Sequence, residues 1–115
     1  MLPSAYRLKE RSSFSRVYAR GKSCVTDLVV VYVLPNRLYT TRIGFSVSKK
    51  LGNSVSRNRV KRLLREASRE LLPQIAMGYD VVIVARKKAA SESLEHLLPA
   101  LAGLFKKSGI LKARD

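Results

Sequence analysis

The sequence contains few of the residues that build disulfides, metal sites or membrane spans. Its 115 residues include one cysteine, one histidine and no tryptophan. Because Cys24 is alone, the chain forms no internal disulfide and no cysteine-based zinc site. The longest apolar run, residues 28–34, is far shorter than the roughly 20 residues that cross a bilayer. With charges throughout the first twenty residues, we expect a cytoplasmic protein with no signal peptide and no membrane partner.

Acidic residues are also scarce. The chain carries 8 acidic and 23 basic side chains, which gives a formal net charge of +15 at pH 7. The acids are scattered, whereas a two-metal nuclease needs several clustered carboxylates. His96 has no cysteine or carboxylate constellation around it, and the glycine-rich phosphate-binding loops are missing. We therefore predict no catalytic residue and no metal ligand in this chain.

Positive charge is abundant on a chain that still has enough apolar residues to fold. With 46% hydrophobic residues, the sequence can fill a core, and its length suits one domain over residues 1–115. A compact surface of this charge attracts polyanions. Nucleic acid is therefore the leading predicted partner.

Alternating and β-branched segments predict the strands. Strands are expected over residues 27–34, 40–48 and 80–85, with a shorter strand over 23–26. The segment 40–48 alternates, so that Ile43, Phe45 and Val47 form a dry side while Gly44 lies on a polar side.

Helical spacing predicts three helices. Phe14 begins an apolar stripe that indicates a helix over residues 12–20. A second helix begins with Ser54 or Ser56 as its N-cap and ends at Pro73. The last helix is capped by Ser91, and Pro99 either kinks it or delays its start. The order helix, two or three strands, helix, strand, helix predicts an α+β fold, with helices packed on one mixed sheet.

The second helix carries much of the positive charge. Residues 42–69 contain nine bases and one acid. At 100° per residue, Val60 and Leu64 share an apolar stripe, while Arg62 and Arg65 project from the opposite side. Solvated helix faces usually mix the two signs, because like charges at i, i+3 and i, i+4 repel. This face therefore favours RNA or DNA phosphates as its partner.

Aromatic residues give a second indication of nucleic-acid binding. Phe14 and Tyr18 share a helix face, and Tyr32 lies on a strand. Aromatic rings beside a basic sheet stack unpaired bases, which is how single-stranded RNA is commonly bound. Packing into the core is the alternative for each of the three rings.

The segment from Arg42 to Glu66, RIGFSVSKKLGNSVSRNRVKRLLRE, closely resembles the signature of the bacterial ribonuclease P protein subunit. The match includes the Arg-Asn-Arg core that begins at Arg57. It extends upstream to the spacing of Phe14, Val17, Tyr18 and Gly21, and downstream to residues 80–87, DVVIVARK. The resemblance covers nearly the whole chain.

The resemblance implies an α/β sandwich with a left-handed βαβ crossover, similar to the second domain of ribosomal protein S5. It implies a subunit of an endoribonuclease that removes the 5′ leader of precursor tRNA, with the catalytic centre in the RNA. The implied partners are the ribonuclease P RNA, which activity requires, and precursor tRNA, with no obligate protein partner. The family's RNA-subunit surface corresponds to Lys49, Lys50, Asn53, Arg57, Asn58, Arg59, Lys61, Arg62 and Arg65. Its leader cleft corresponds to Phe14, Tyr18 and Tyr32.

The resemblance also implies that Mg²⁺ is the cofactor and that it is held mainly by the RNA subunit. A structural RNA-binding protein of the ribosomal type is the first alternative, because composition alone permits it equally well. A DNA-binding regulator is disfavoured by the missing helix-turn-helix spacing. An autonomous nuclease is the weakest alternative, since no carboxylates cluster.

Overall fold

The computed structural model describes residues 3–112 of the chain. Within this range, three helices and four strands follow one another: α1 (Arg11–Arg20), β1 (Lys22–Val25), β2 (Val29–Pro35), β3 (Arg42–Ser46), α2 (Ser54–Leu71), β4 (Tyr79–Ala85) and α3 (Leu94–Lys107). The predicted α+β class and element order are confirmed. The predicted strand over 40–48 is longer than β3, and the other strands differ from their predicted bounds by one or two residues.

The four strands form one mixed sheet in the order β1-β2-β4-β3. β1 pairs with β2 and β2 with β4 in antiparallel fashion, whereas β3 and β4 are parallel. The parallel pair is connected through α2, which gives the predicted βαβ crossover. The left hand of that crossover remains an expectation from the resemblance.

Helices cover both faces of the sheet. Alternate residues of β2, such as Val29 and Val31, join β3 and β4 in the main core beneath α2 and α3. On the opposite face, Val17 of α1 packs with Val82 of β4 and with Leu8. Because β2 and β4 are covered on both faces, they have the nearly continuous apolar sequences typical of buried strands.

The last helix begins later than Ser91. Residues Lys87–Ser91 form a 3-10 turn, and α3 follows with Ser93 as its flanking residue. The prediction that Ser91 caps this helix is wrong, whereas the predicted later start is confirmed. Pro99 lies within α3 and is exposed, so its ring points away from the core while one backbone hydrogen bond is lost.

A buried carboxylate fixes the end of the sheet where β4 begins. Asp80 is 1% exposed and accepts hydrogen bonds from Nε and Nη2 of Arg42 at 2.9 and 2.8 Å. Asn36 Nδ2 donates a third bond at 2.9 Å. The hydrogen bond to Asp80 raises the pKa of Arg42. This network ties the first residue of β3 and the loop after β2 to β4.

The outer edge of β3 is covered by the N-terminal segment. The backbone N–H of Leu8 donates to the carbonyl of Ile43 at 2.9 Å, and Arg7 forms an isolated parallel bridge with the same residue. The segment therefore follows the sheet edge, with Leu8 buried and Lys9 exposed beside it.

Candidate nucleic-acid interface

The cationic helix α2 begins at a well-defined cap. Asn53 Oδ1 accepts a hydrogen bond from the backbone N–H of Ser56 at 2.9 Å. The predicted caps Ser54 and Ser56 are wrong, because Asn53 already satisfies this free N–H at the helix start. The 3-10 turn Lys49–Leu51 lies immediately before this cap, so the two exposed lysines of the turn are held beside the helix.

The outer face of α2 forms a shallow depression of about 530 Å³. It is lined by Asn58, Arg62, Arg65 and Glu66. The pKa of Glu66 is lowered by a hydrogen bond from Arg69 Nη2, with the donor and acceptor atoms 2.8 Å apart. One acid therefore offsets part of the charge at the far end of this face, while Arg62 and Asn58 remain exposed.

Arg59 has a different setting from the other predicted RNA-binding residues. Its Nη1 donates to the carbonyl of Ala90 at 3.1 Å, and its Nη2 donates to the carbonyl of Glu92 at 2.8 Å. Arg59 thus holds the segment after β4 against the start of α2. Since both acceptors are neutral carbonyls, the positive charge of Arg59 still contributes to this surface.

Arg57 carries a buried donor without a partner. Its Nε is buried and makes no hydrogen bond to any residue within 3–112. A buried donor left unpaired costs about 1–3 kcal/mol. An acceptor supplied by a bound ligand would remove this penalty.

Lys61 and Arg65 line a second groove, on the flank of α2 that faces the sheet edge. This groove has a volume of about 320 Å³, and Phe14 and Phe45 contribute to its walls. Arg65 lines both depressions. The cationic face of α2 is therefore continuous with the side of the molecule that carries Phe14.

Sequence reasoning missed two further cations of the second groove, Arg7 and Lys9. They flank the buried Leu8 in the segment along β3. Their alternation with Leu8 is a period-two signal, but it is too short to have been recognised as strand-like without the neighbouring edge of the sheet.

The three predicted aromatic residues form one cluster. The ring centroids of Phe14 and Tyr18 are 6.5 Å apart, and those of Tyr18 and Tyr32 are 5.0 Å apart, both in edge-to-face arrangements. Tyr18 is 41% exposed, and the other two rings are half-buried. The cluster therefore retains exposed ring surface on which a base can stack.

Gly44 provides the space for the ring of Phe14. A Cβ atom at Gly44 would lie 2.9 Å from Cε1 and 3.0 Å from Cε2 of Phe14, and closer still to Cζ. The predicted polar side of this strand is therefore covered at Gly44 by the ring of Phe14. The missing side chain allows α1 to approach β3 this closely.

Within residues 3–112, no group of three His, Cys, Asp or Glu side chains lies close enough to hold a metal ion. His96 Nδ1 lies 2.8 Å from Glu92 Oε2 on the exposed surface. No helix in the same range is both long and apolar enough to span a bilayer. The residues gathered in this region are mainly cations, amides and aromatic rings, with Glu66 as an acid among them.

Comparison with known proteins assigns this arrangement to a family. A model of the family described as Ribonuclease P matches residues 2–109 of the chain. The chain belongs to the ribonuclease P protein family. The ribonuclease P protein component of Caldanaerobacter subterraneus subsp. tengcongensis is 44% identical over 109 residues, which cover 95% of this chain and 94% of that protein. The component from Symbiobacterium thermophilum is 43% identical over 112 residues, covering 96% of this chain and 97% of that protein.

Solved structures of ribonuclease P proteins share the fold. The Staphylococcus aureus ribonuclease P protein superposes with a TM-score of 0.86 at 34% identity, over 95% of this chain and all (100%) of that chain. The Thermotoga maritima protein gives a TM-score of 0.81 at 30% identity, over 88% of this chain and 96% of that one. The predicted family and fold class are therefore confirmed.

Membership in the ribonuclease P protein family implies a ribonuclease complex with an RNA partner, the ribonuclease P RNA. This family membership favours a subunit of ribonuclease P over a structural RNA-binding protein of the ribosomal type. The roles of the individual residues described above remain predictions.

Proposed function

We propose that this ribonuclease P protein binds the catalytic RNA through the cationic face of α2 and holds the 5′ leader of precursor tRNA on its aromatic cluster. The RNA-subunit surface comprises Lys49, Lys50, Asn53, Arg57, Asn58, Arg59, Lys61, Arg62 and Arg65. The leader cleft comprises Phe14, Tyr18 and Tyr32. The observation that carries the proposal is the continuity of these two sets, because Arg65 lines both the depression on α2 and the groove beside Phe14.

The side chains suit this division of roles. Arginine presents its donors in a planar fork that matches phosphate oxygens, and amides such as Asn58 donate to base edges or ribose hydroxyls. The aromatic cluster suits unpaired bases, since stacking on a ring requires no particular sequence. The phosphate-binding side chains of α2 therefore suit structured RNA, and the stacking surface of the aromatic cluster suits single-stranded RNA.

Cleavage itself is assigned to the RNA subunit. Residues 3–112 supply no set of three potential metal ligands, so we propose that the RNA binds the Mg²⁺ ions of the reaction. The protein raises substrate affinity through the leader and reduces phosphate repulsion, which favours binding of Mg²⁺ to the RNA. This activity is proposed for the cytoplasm, where precursor tRNA is processed in bacteria.

Reconstitution tests the proposed function. Purified protein is mixed with the RNA subunit and precursor tRNA at limiting Mg²⁺, and release of the leader is followed. Leader release is expected to be faster than with RNA alone. No stimulation would overturn the proposal, and cleavage by the protein without RNA would instead indicate an autonomous nuclease.

Removing one phosphate contact is expected to change the salt dependence of RNA binding. The Arg62→Ala variant should lower by about one the slope of log affinity against log salt for the RNA subunit, because one fewer counterion is released. Filter binding over a series of salt concentrations measures this slope. Lys106→Ala, which removes the same charge from the end of α3, should leave the slope nearly unchanged.

Removing one ring of the cluster is expected to affect only RNAs that carry a leader. Tyr32→Ala should weaken precursor binding by the holoenzyme about tenfold, since stacking one base contributes about 1–3 kcal/mol. Mature tRNA, measured in parallel, should bind almost as before. Tyr39→Ala is the matched control, because Tyr39 is 99% exposed and makes no ring contact within residues 3–112. An equal loss for precursor and mature tRNA would contradict the leader assignment.

A further inference from the structure

A third depression lies at the end of the sheet where β1 begins and β2 ends. This terminal groove has a volume of about 280 Å³ and lies outside both sets of residues assigned above. Its lining includes Arg20, Lys22, Leu34, Pro35, Tyr79 and Ser108.

The two cations of the terminal groove have no protein partner in the described part of the chain. The side chains of Arg20 and Lys22 make no hydrogen bond or ion pair with any residue in 3–112. The acidic residue Asp80 in β4 lies opposite Leu34 of the groove in the pairing of β2 with β4. Its carboxylate is 1% exposed and already binds Arg42, so it does not neutralise the groove.

Cations near helix C-termini interact favourably with the partial negative charge there, but this interaction explains only part of the positive charge beside the groove. Both α1 and α3 end near the groove, and each helix C-terminus carries roughly half a negative charge. Arg20, Lys106 and Lys107 lie in the last turns of these helices, and Lys22 follows α1. The two cations that line the groove, Arg20 and Lys22, already exceed the roughly one negative charge of the two helix ends, so the groove stays cationic.

The walls of the groove are apolar. Pro35 and Tyr79 are paired across β2 and β4, with Tyr79 packed on the side of the main core, whereas Leu34 lines the groove from the α1 side of the sheet. A volume of about 280 Å³ is just below the roughly 300–1,000 Å³ of pockets that enclose drug-sized ligands. A cationic rim around a small apolar recess suits one unpaired nucleotide, with its phosphate on the cations and its base against the apolar wall.

The terminal groove lies close to the aromatic cluster. Tyr18 and Arg20 occupy the last turn of α1, and Tyr32 precedes Leu34 by two residues on the same face of β2. Two residues of a strand span about 6.6 Å. A single strand that leaves the cluster around the end of α1 therefore reaches Leu34 first, and it reaches the wall formed by Pro35 and Tyr79 within a few nucleotides by passing the end of β2.

We propose that the terminal groove binds an unpaired nucleotide of the precursor leader, beyond the nucleotides that stack on the aromatic cluster. This subsite rests on the proposed leader binding and extends it to longer leaders. Arg20 and Lys22 bind the phosphate, and the wall formed by Pro35 and Tyr79 accommodates the base.

The test compares two precursor tRNAs, one with a leader that spans only the aromatic cluster and one with a leader several nucleotides longer. Holoenzyme is reconstituted with the double variant Arg20→Gln/Lys22→Gln. The matched control is Arg11→Gln/Arg16→Gln, which removes two exposed cations from the same helix outside the groove. Thermal unfolding of each protein verifies that it is folded, as expected for glutamine at exposed positions.

The Arg20→Gln/Lys22→Gln variant is expected to bind the long-leader precursor about tenfold more weakly, with a salt slope lower by about two. Its affinities for the short-leader precursor and for the RNA subunit should match those of the wild type. Equal losses for both precursors, a loss equal to that of the control, or weaker binding to the RNA subunit would each overturn the proposal. A failure of the proposed leader binding would give a different result from a failure of this subsite. The wild-type holoenzyme would then bind neither precursor more tightly than mature tRNA.

Discussion

Gly44→Ala is expected to destabilise the protein by about 1–3 kcal/mol and to weaken binding of leader-bearing precursor, because the new methyl group overlaps the ring of Phe14. The Cβ atom would lie 2.9 Å from Cε1 of that ring, a separation that real Cβ contacts essentially never show. Either the ring leaves its position beside Tyr18 or α1 moves away from β3. Both responses disturb the aromatic cluster, so precursor affinity should fall together with the free energy of unfolding.

Two companion variants test the cause of this effect. Gly103→Ala adds the same methyl group to α3 at a position with no heavy atom within 4 Å, and it should be neutral or stabilising by up to about 1 kcal/mol. Phe14→Ala/Gly44→Ala removes the ring that the new methyl group would overlap, so its unfolding free energy should be higher than the sum of the single losses predicts. Gly44→Ala with wild-type stability and precursor affinity would refute the close packing of Phe14 on β3.

Arg42→Ala is expected to lower the free energy of unfolding by about 3–5 kcal/mol, the usual cost of leaving one charge of a buried ion pair without its partner. Asp80 is 1% exposed, and after the substitution Asn36 would be the one side chain within residues 3–112 that still donates to its carboxylate. Urea denaturation of the free protein, followed by circular dichroism, measures this loss as a lower transition midpoint.

An exposed ion pair of the same length provides the control. Arg69 and Glu66 are 2.8 Å apart, like Arg42 and Asp80, but their side chains are 51% and 36% exposed. Arg69→Ala should therefore leave the transition midpoint nearly unchanged. Arg42→Ala/Asp80→Ala, which removes both buried charges, should recover part of the loss. Equal effects of Arg42→Ala and Arg69→Ala would show that burial does not determine the strength of the pair.

The local features of the fold followed from the sequence because short-range periodicity controls them. The β-branched composition of residues 27–34 predicted β2, and the apolar stripe on α2 predicted a core-facing side on which Val60 and Leu64 are fully buried. The arginines opposite that stripe indicated the cationic face. The three aromatic residues were predicted individually, and the structure shows that Tyr18 contacts both Phe14 and Tyr32.

Features that depend on distant parts of the chain could not be predicted in this way. The covering of Gly44 requires the ring of Phe14 to reach β3 from α1, which packs over β2 and β4, and nothing in the alternation of β3 contains that information. Similarly, Arg59 binds carbonyls of residues 90 and 92, more than thirty positions along the chain. Asn53 is the N-cap because its backbone is extended, whereas Ser54 and Ser56 already lie within the helix. The preceding turn sets that boundary, and the sequence pattern of the helix does not contain it.

The strand order has a consequence for synthesis of the chain. β4 is the last strand to leave the ribosome, yet it occupies an inner position between β2 and β3. Until it emerges, the apolar edge of β2 and the inner edge of β3 have no partner, and exposed edges of this kind promote association between nascent chains. The sheet therefore closes only after residue 85 is available, and truncation before Tyr79 is expected to yield a product that aggregates rather than a smaller folded domain.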